Sequence, residues 1–508
     1  MTDRIINIEK LNDSADLDCD LCIIGSGPAG ISLASKFTES DQTIIILESG
    51  EVNLSPRHTS LNDGISIGQR VVNTSESRAR RYGGGMHLWA GTSAPFSEYE
   101  FIGRSHINIE GWPIDWDNFS KYYREAALLL GINFDNFNKP YKDFKTQMSE
   151  VFANLNLTNL RSNNYFAAKN IDLTISLENE FRQSKNIKTY TNATVVDFEC
   201  SDNDISSATV KTINGREYSV SSKNFILCTG ALEAARLLMD SSLSKMVNPE
   251  HLGKNFMSHP SFTDLATITF EQKIKSWVSK PSLDTKVDFE LSFEEQNSKK
   301  ILRHNIHAAP SYEKSQSLVL SSSSISSEKT SNRKSHYNFL LTGWDLVCRI
   351  FGKRAWSYTW NISVGIEQEP MKDRNLSLSK DRNVLGQQNL IVNGGKISDL
   401  EKHTIDEALY GLKKSLEANI DAKFKFSKKY LTGEYLEDQD SINHHIGTLK
   451  MASSSNEGMV DKDLKLFGLN NLYVSGSAVF PTSSNVNPTL TIVALSLRLG
   501  DFLKNKSN

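Results

Sequence analysis

The sequence predicts an α/β chain in which one domain, built on a parallel sheet and discontinuous in sequence, carries an inserted, mostly β second domain. Three observations carry that prediction. "LCIIGSGPAGISLASKF" (21–37) runs from a β-branched strand through a glycine turn into a small-residue helix, and "QTIIILESG" (42–50) supplies a second apolar strand. Residues 261–440 change character, with long alternating segments such as "TDLATITF" and "WNISVGIEQE". Residues 441–508 return to glycine turns, a strand "NLYVSG" and a helix from Pro488. The 508 residues leave room for both domains. We place the first at 1–260 plus 441–508, with loops lent to the second, and the second at 261–440.

Composition narrows the functional classes. Hydrophobic residues make up 38% and charged residues 23%, the balance of a soluble globular protein. A net charge of −3 gives no field that would favour nucleic acid, and the basic run "RARRY" (78–82) is too short to override it. "MTDRIINIEKLNDSADLDCD" has many acids and no long apolar run, so it does not read as a secretory signal, and no apolar stretch is long enough to span a membrane. Five cysteines, an odd number, argue for a reducing compartment, and the expected location is cytoplasmic. Cys19 and Cys22 form a lone C-x-x-C with no second pair, so Cys22 reads as a strand residue and no metal site is expected.

Between these landmarks, "ESRARRYGGGMHLWAGTSAPF" (76–96) is a glycine- and aromatic-rich loop. "WDNFSKYYREAALLLG" (116–131) has helical spacing, with Asp117 as the expected cap. "IKTYTNATVVDFEC" and "ATVKTINGREYSV" read as strands, and "KNFILCTGALEAARLLM" as a second strand–turn–helix crossover. "SQSLVLSSSSISSEKTSNRKS" reads as a serine-rich mobile loop near 315–335. "YNFLLTGWDLVCRIFGKRAWSYTW" (337–360) mixes aromatics with Arg349, Lys353 and Arg354; it reads first as a lid over a substrate cavity and second as a peripheral membrane contact.

The chemistry-bearing motifs follow. Gly25-Ser-Gly27-Pro-Ala-Gly30 is G-x-G-x-x-G, with the required strand before it, helix after it and an acid, Glu48, beyond. Gly25 makes the tight turn, Gly27 admits a diphosphate, and Gly30 lets helix pack on strand. The helix N-terminus offers amide donors, and Glu48 accepts from ribose hydroxyls. FAD and NAD share this pattern. The backbone freedom of "YGGGMHLWAG" suits a chain lying against a large planar ring. At the C-terminal helix, Pro488 occupies the first position and Asn487 either caps the helix or serves a ligand; the helix end would stabilise the negative charge of a reduced flavin.

"SINHHIGTLKM" (441–451) holds two adjacent histidines. Strand neighbours point to opposite faces, so at most one faces a given ligand. The pair has the wrong spacing for a helical metal site and no accompanying acids or cysteines. A neutral histidine suits removal of a hydroxyl proton from an alcohol, and a satisfied core role is the alternative.

Taken in order, these pieces resemble the glucose–methanol–choline (GMC) family of FAD-dependent oxidoreductases, and "GWPIDWDNFSKYYREA", "ILCTGALEAARLL" and "LGKNFMSHP" (252–260) add to the match. The resemblance implies a Rossmann-type FAD domain with a substrate domain built on an antiparallel β-sheet. It implies that His444, first in H-x-x-G-T, is the general base, that Asn487 orients the substrate hydroxyl, and that hydride passes to flavin N5. His445 would face away. The implied FAD contacts are Gly25, Gly27, Gly30 and Glu48; Gly83, Gly84, His87 and Trp89 of the glycine loop; Val196; and Gly476, Ser477, Pro488 and Thr489 near the end. "FPTSSNVNPTLT" lies nearer the branch with pyranose oxidase and bacterial sugar dehydrogenases, favouring a sugar or polyol among primary and secondary alcohols. In pyranose oxidase a histidine directly before the loop tryptophan bonds FAD covalently; here Leu88 stands there, so non-covalent FAD is expected. The partners implied are a small alcohol and an electron acceptor, whether oxygen, quinone or another. The alternatives are a non-redox lyase of this fold with structural FAD, or a binding protein that has lost its cofactor.

Overall fold

The computed structural model describes residues 4–11, 17–139, 159–270, 285–310, 359–418, 422–437 and 443–507. Its first sheet runs in the order β1 (Ile5–Asn7), β7 (Ile187–Thr191), β3 (Ile44–Leu47), β2 (Leu17–Ile24), β10 (Glu217–Leu227), β9 (Asp204–Lys211), β8 (Thr194–Ser201). Strand β20 (Leu472–Val474) pairs with the end of β10. Pairings from β1 through β10 and on to β20 are parallel, whereas β8, β9 and the start of β10 form an antiparallel meander. Parallel strands covered on both faces need apolar residues at successive positions. β3 reads Ile-Ile-Ile-Leu with all four buried, and Leu21 to Ile24 are buried likewise.

Helix α1 (Pro28–Ser35) leaves the glycine turn after β2 and packs on the C-terminal helix α5 (Thr489–Ser507), which also packs on α2 (Trp116–Leu129). The cap of α2 is Asp115, whose carboxylate accepts from Asn118 N at 3.0 Å. The expected cap, Asp117, sits in the first turn instead, where its charge still complements the helix dipole.

The second sheet is antiparallel throughout, in the order β18 (Ala422–Phe426), β12 (Ser261–Phe270), β15 (Thr359–Ile366), β14 (His304–Pro310), β13 (Thr285–Leu291), β6 (Leu160–Ala167), β5 (Thr92–Ser93). Period-two alternation sorts its side chains. Ile306, Ile362, Val364 and Ile366 join Ile405, Leu409 and Leu412 of α4 (Asp399–Glu417) in a core of their own. The residues between them, Asn305, His307, Ser363 and Gly365, line a chamber on the opposite face.

The sheets do not follow the division at 260/261 and 440/441 strand by strand. β5 and β6 lie before 260 yet belong to the second sheet. β16 (Asn375–Arg382) and β17 (Gln388–Asn393) lie inside 261–440 yet form a small sheet with β4 (Gly64–Ile67). Strand pairing joins distant segments, which a change in local composition cannot register. Finally, β11 (Lys254–Met257) pairs antiparallel with β19 (Ile446–Thr448), setting Met257 opposite Ile446. The serine-rich loop near 315–335 and residues 337–358 lie outside the described residues. Among the described residues no helix is long and apolar enough to cross a membrane.

Candidate functional site

A cavity of about 690 Å³ opens at the C-terminal ends of the parallel strands, where α/β sheets bind ligands. The glycine turn forms one wall. A Cβ built at Gly30 would stand 2.0 Å from the Gly25 carbonyl oxygen, so Gly30 serves the packing of α1 on the turn rather than the cavity lining. A Cβ at Gly27 or Gly85 would meet nothing within 4 Å, so these two glycines face open space along the cavity. Glu48, at the end of β3, is 6% exposed. Its carboxylate accepts from Ser26 Oγ at 2.6 Å, Ser26 N at 3.1 Å and Gly50 N at 2.8 Å. These bonds hold the side chain in one orientation with its oxygens at the cavity wall.

The run "RARRY", set aside on charge alone, also reaches this cavity. Arg78 and Arg80 line it, and both contact Glu233, at 3.1 and 2.9 Å. Arg236 is a third partner of the same carboxylate. Desolvation would raise Glu233, but the three guanidiniums, Arg236 foremost, hold it down at about 2. Burial in turn pushes Arg78 down to about 10. No residue spacing in the sequence signals this cluster; it forms because α3 (Gly230–Asp240) starts beside the loop at 76–85.

The second cavity, about 550 Å³, is the chamber over the antiparallel sheet. Its lining is polar: Asn305, His307, Asp288 and Ser363 come from the sheet, with Tyr165, Asn485 and Asn487 around them. Thr92, Asn443, His444 and Asn487 line both cavities, so the two meet at these side chains. Asn487 Nδ2 donates to the Thr92 carbonyl at 2.6 Å, which fixes its amide across the seam.

Continuing the β11–β19 register by two residues brings His259 opposite His444, and their Nδ1 atoms lie 2.8 Å apart. His259 Nε2 lies 2.8 Å from the Ser483 carbonyl oxygen. Burial pushes His444 down to about 3, assisted by His259, and pushes His259 down to about 4. Both imidazoles are neutral at neutral pH. His445 turns the other way and lies beside Phe256, with ring centroids 6.1 Å apart.

Of the sequence-derived contacts, Gly25, Gly27, Glu48, Gly84, Trp89, Gly476, Ser477, Pro488 and Thr489 all line the larger cavity together with His444 and Asn487. Gly30, Gly83, His87 and Val196 do not. In place of Val196, its neighbours Ala193, Thr194 and Val195 form that wall, and the strand's register shifts between Val195 and Asp197. His87 is drawn away by the Tyr82 carbonyl at 2.9 Å from its Nε2, with Asp172 at 3.6 Å. Helix α5 is assigned from Thr489, and the Pro488 carbonyl accepts its first bond, from Ile492 N at 2.9 Å.

Residues 383–496, which contain both His444 and Asn487, match the family model described as GMC oxidoreductase. That segment of the chain is similar to the GMC oxidoreductases. Two solved structures share its fold over nearly the full length. Formate oxidase matches at 15% identity, covering 98% of this chain and 99% of that one, with a TM-score of 0.62. Pyridoxine 4-oxidase from Mesorbium loti matches at 14% identity, 96% and 99% coverage, and a TM-score of 0.63. FAD is the cofactor that the match to the GMC oxidoreductase model implies. The larger cavity fits that cofactor on its own terms: a space of about 690 Å³, a glycine cradle that a Cβ would fill, the N-terminal amides of α1 for a diphosphate, and the Glu48 carboxylate for ribose hydroxyls.

Proposed function

We propose that the enzyme oxidises a primary or secondary alcohol, with a sugar or polyol favoured, to the corresponding carbonyl compound. The observation that supports it most is that His444 and Asn487 stand where the cofactor cavity opens into the polar chamber. An alcohol seated there meets an imidazole kept neutral by burial. His444 Nε2 takes the hydroxyl proton, and Asn487, braced on Thr92, orients the oxygen from which it leaves. FAD held in the larger cavity would supply the hydride acceptor, so that loss of one proton and one hydride would leave the C=O bond. Asn305, His307, Asp288 and Ser363 present donors and acceptors from one sheet face, which suits several hydroxyls on one substrate. Among the described residues no lysine or arginine lines this chamber, which favours an uncharged polyol over an anion. The direction in which His87 is held, and Leu88 beside Trp89, support non-covalent FAD.

The test is an anaerobic screen with sugars, polyols and aliphatic alcohols. A matching alcohol bleaches the yellow flavin in the native enzyme, and His444→Ala keeps its FAD but reduces it about 10²- to 10⁴-fold more slowly. Normal reduction by that variant, or no bleaching with any alcohol, overturns the reading.

A further inference from the structure

The motif "LGKNFMSHP" contributes its histidine to a place the chemistry above does not use. We infer that His259 is a positioning residue that fixes the tautomer of His444, through a three-member chain of Ser483 carbonyl, His259 and His444. The inference rests on the alcohol-oxidation reading for its purpose, and on geometry alone for its content.

Each link follows from what the atoms can do. A backbone carbonyl oxygen only accepts, so the ring nitrogen 2.8 Å from Ser483 O, His259 Nε2, carries a hydrogen. A neutral imidazole has one N–H, so His259 Nδ1 is left with a lone pair. That lone pair faces His444 Nδ1 at 2.8 Å, and two lone pairs at that distance would repel; His444 Nδ1 therefore carries its hydrogen. His444 Nε2 is then unprotonated, the form a general base needs. As the base takes a proton, His444 becomes an imidazolium whose Nδ1–H bond to His259 strengthens, so the same contact also stabilises the charge that develops.

The anchor of the chain is held from several sides. Ser483 Oγ accepts from Gln368 N at 3.0 Å, while the Gln368 side chain accepts from Ser258 N at 2.7 Å, next to His259 itself. Thr482 Oγ1 accepts from the Trp112 indole at 2.9 Å, and Asn485 Nδ2 donates to the His304 carbonyl at 2.6 Å. The loop that presents the carbonyl is thus fixed to the second sheet at His304 and, through Gln368, to the segment that carries His259, and the two histidines are fixed to each other by the β11–β19 register.

The test uses the FAD-loaded full chain in three forms: native, His259→Leu and His259→Asn. Leucine keeps bulk and removes the acceptor; the asparagine oxygen occupies the position of the imidazole Nδ1 and restores it. Nitrogen-15 NMR of histidine-labelled enzyme at pH 7 reads the tautomer with no substrate present. We expect His444 to show a protonated Nδ1 and a bare Nε2 in the native and Asn forms, and a mixture of both tautomers in the Leu form. With the alcohol found in the bleaching screen, flavin reduction falls about 10- to 100-fold in the Leu form, with KM nearly unchanged, and recovers in the Asn form. A protonated Nε2 on His444 in the native enzyme overturns the inference, as does a His444 tautomer that does not change in the Leu form. If no alcohol bleaches the flavin, the proposed function fails, while the NMR result still decides the tautomer chain. The FAD content and Tm of each variant separate misfolding from a change of tautomer.

Discussion

Gly27→Ala separates cofactor binding from folding. Gly27 has φ −69° and ψ −173°, ordinary extended backbone that alanine adopts freely. A Cβ there meets no protein atom within 4 Å, so the apoprotein should lose about 0.5 kcal/mol from a poorer helix cap and little else. For a chain of this size that moves the apo Tm by about 0.5 °C. The same methyl group stands in the cradle that the diphosphate would occupy. Overfilling a fitted site costs about 1–3 kcal/mol, which is roughly a 5- to 150-fold rise in the Kd for FAD. Gly30→Ala gives the opposite result: its Cβ would lie 2.0 Å from the Gly25 carbonyl oxygen, a backbone atom that cannot swing aside. It should lower Tm steeply or prevent soluble expression. Fluorescence titration of apoprotein with FAD and scanning calorimetry read the two effects. Unchanged FAD affinity in Gly27→Ala would refute the cofactor placement, and collapse of its apo Tm would refute the packing argument.

The remaining predictions concern charge. Because burial sets His444 at about 3, kcat/KM should stay level from pH 8 to about pH 5, with no acid limb near 6.5; a limb there would show that the base titrates as an ordinary histidine. Stability follows the same sign. The unfolded histidines, near 6.5, bind protons that the native ones, at about 4 and about 3, exclude, so stability falls as pH drops through that window; His444→Gln should lose less stability between pH 7 and pH 4 than the native enzyme, measured by chemical denaturation. Glu401→Gln breaks the bidentate pair in which Arg374 donates to both carboxylate oxygens at 2.7 and 2.8 Å. With Arg374 1% exposed, the uncompensated charge should cost about 3–5 kcal/mol, visible as a Tm loss of about 3–5 °C. Asp288→Asn, in the chamber beside His307 at 3.0 Å, should lower kcat/KM about tenfold or more and leave FAD affinity unchanged; equal kcat/KM for every alcohol would remove Asp288 from substrate binding.

Local motifs were legible where a single turn of chain contains its own physical reason. Gly25, Gly27 and Gly30 fall between a buried strand and a helix, Glu48 ends the next strand, and the spacing of these residues alone defines the dinucleotide cradle. Details that depend on neighbours were not. Asp115 rather than Asp117 caps α2 because the cap is set by which residue leaves helical geometry, a choice two residues wide. Ala193, Thr194 and Val195 rather than Val196 meet the cavity, beside a register shift between Val195 and Asp197 that depends on the partner strand and not on local sequence. Arg78 and Arg80 look like a minor basic run until Glu233, 155 positions after Arg78, is packed against them.

By itself the sequence determined the α/β class and the nucleotide cradle, each of which lies in a short pattern whose spacing has a local cause. It left His444 and His445 equivalent, and only the family resemblance singled out His444 and Asn487, which line the seam between the two cavities. Only the tertiary structure decided that β5 and β6 close the second sheet, that the polar face of that sheet becomes a chamber, and that His259 lies against His444. These depend on pairings between segments far apart in the chain, such as the 185 positions between the two histidines. Strand register is a property of two segments together: it is fixed by which faces can be buried once both are folded, and neither strand carries it alone.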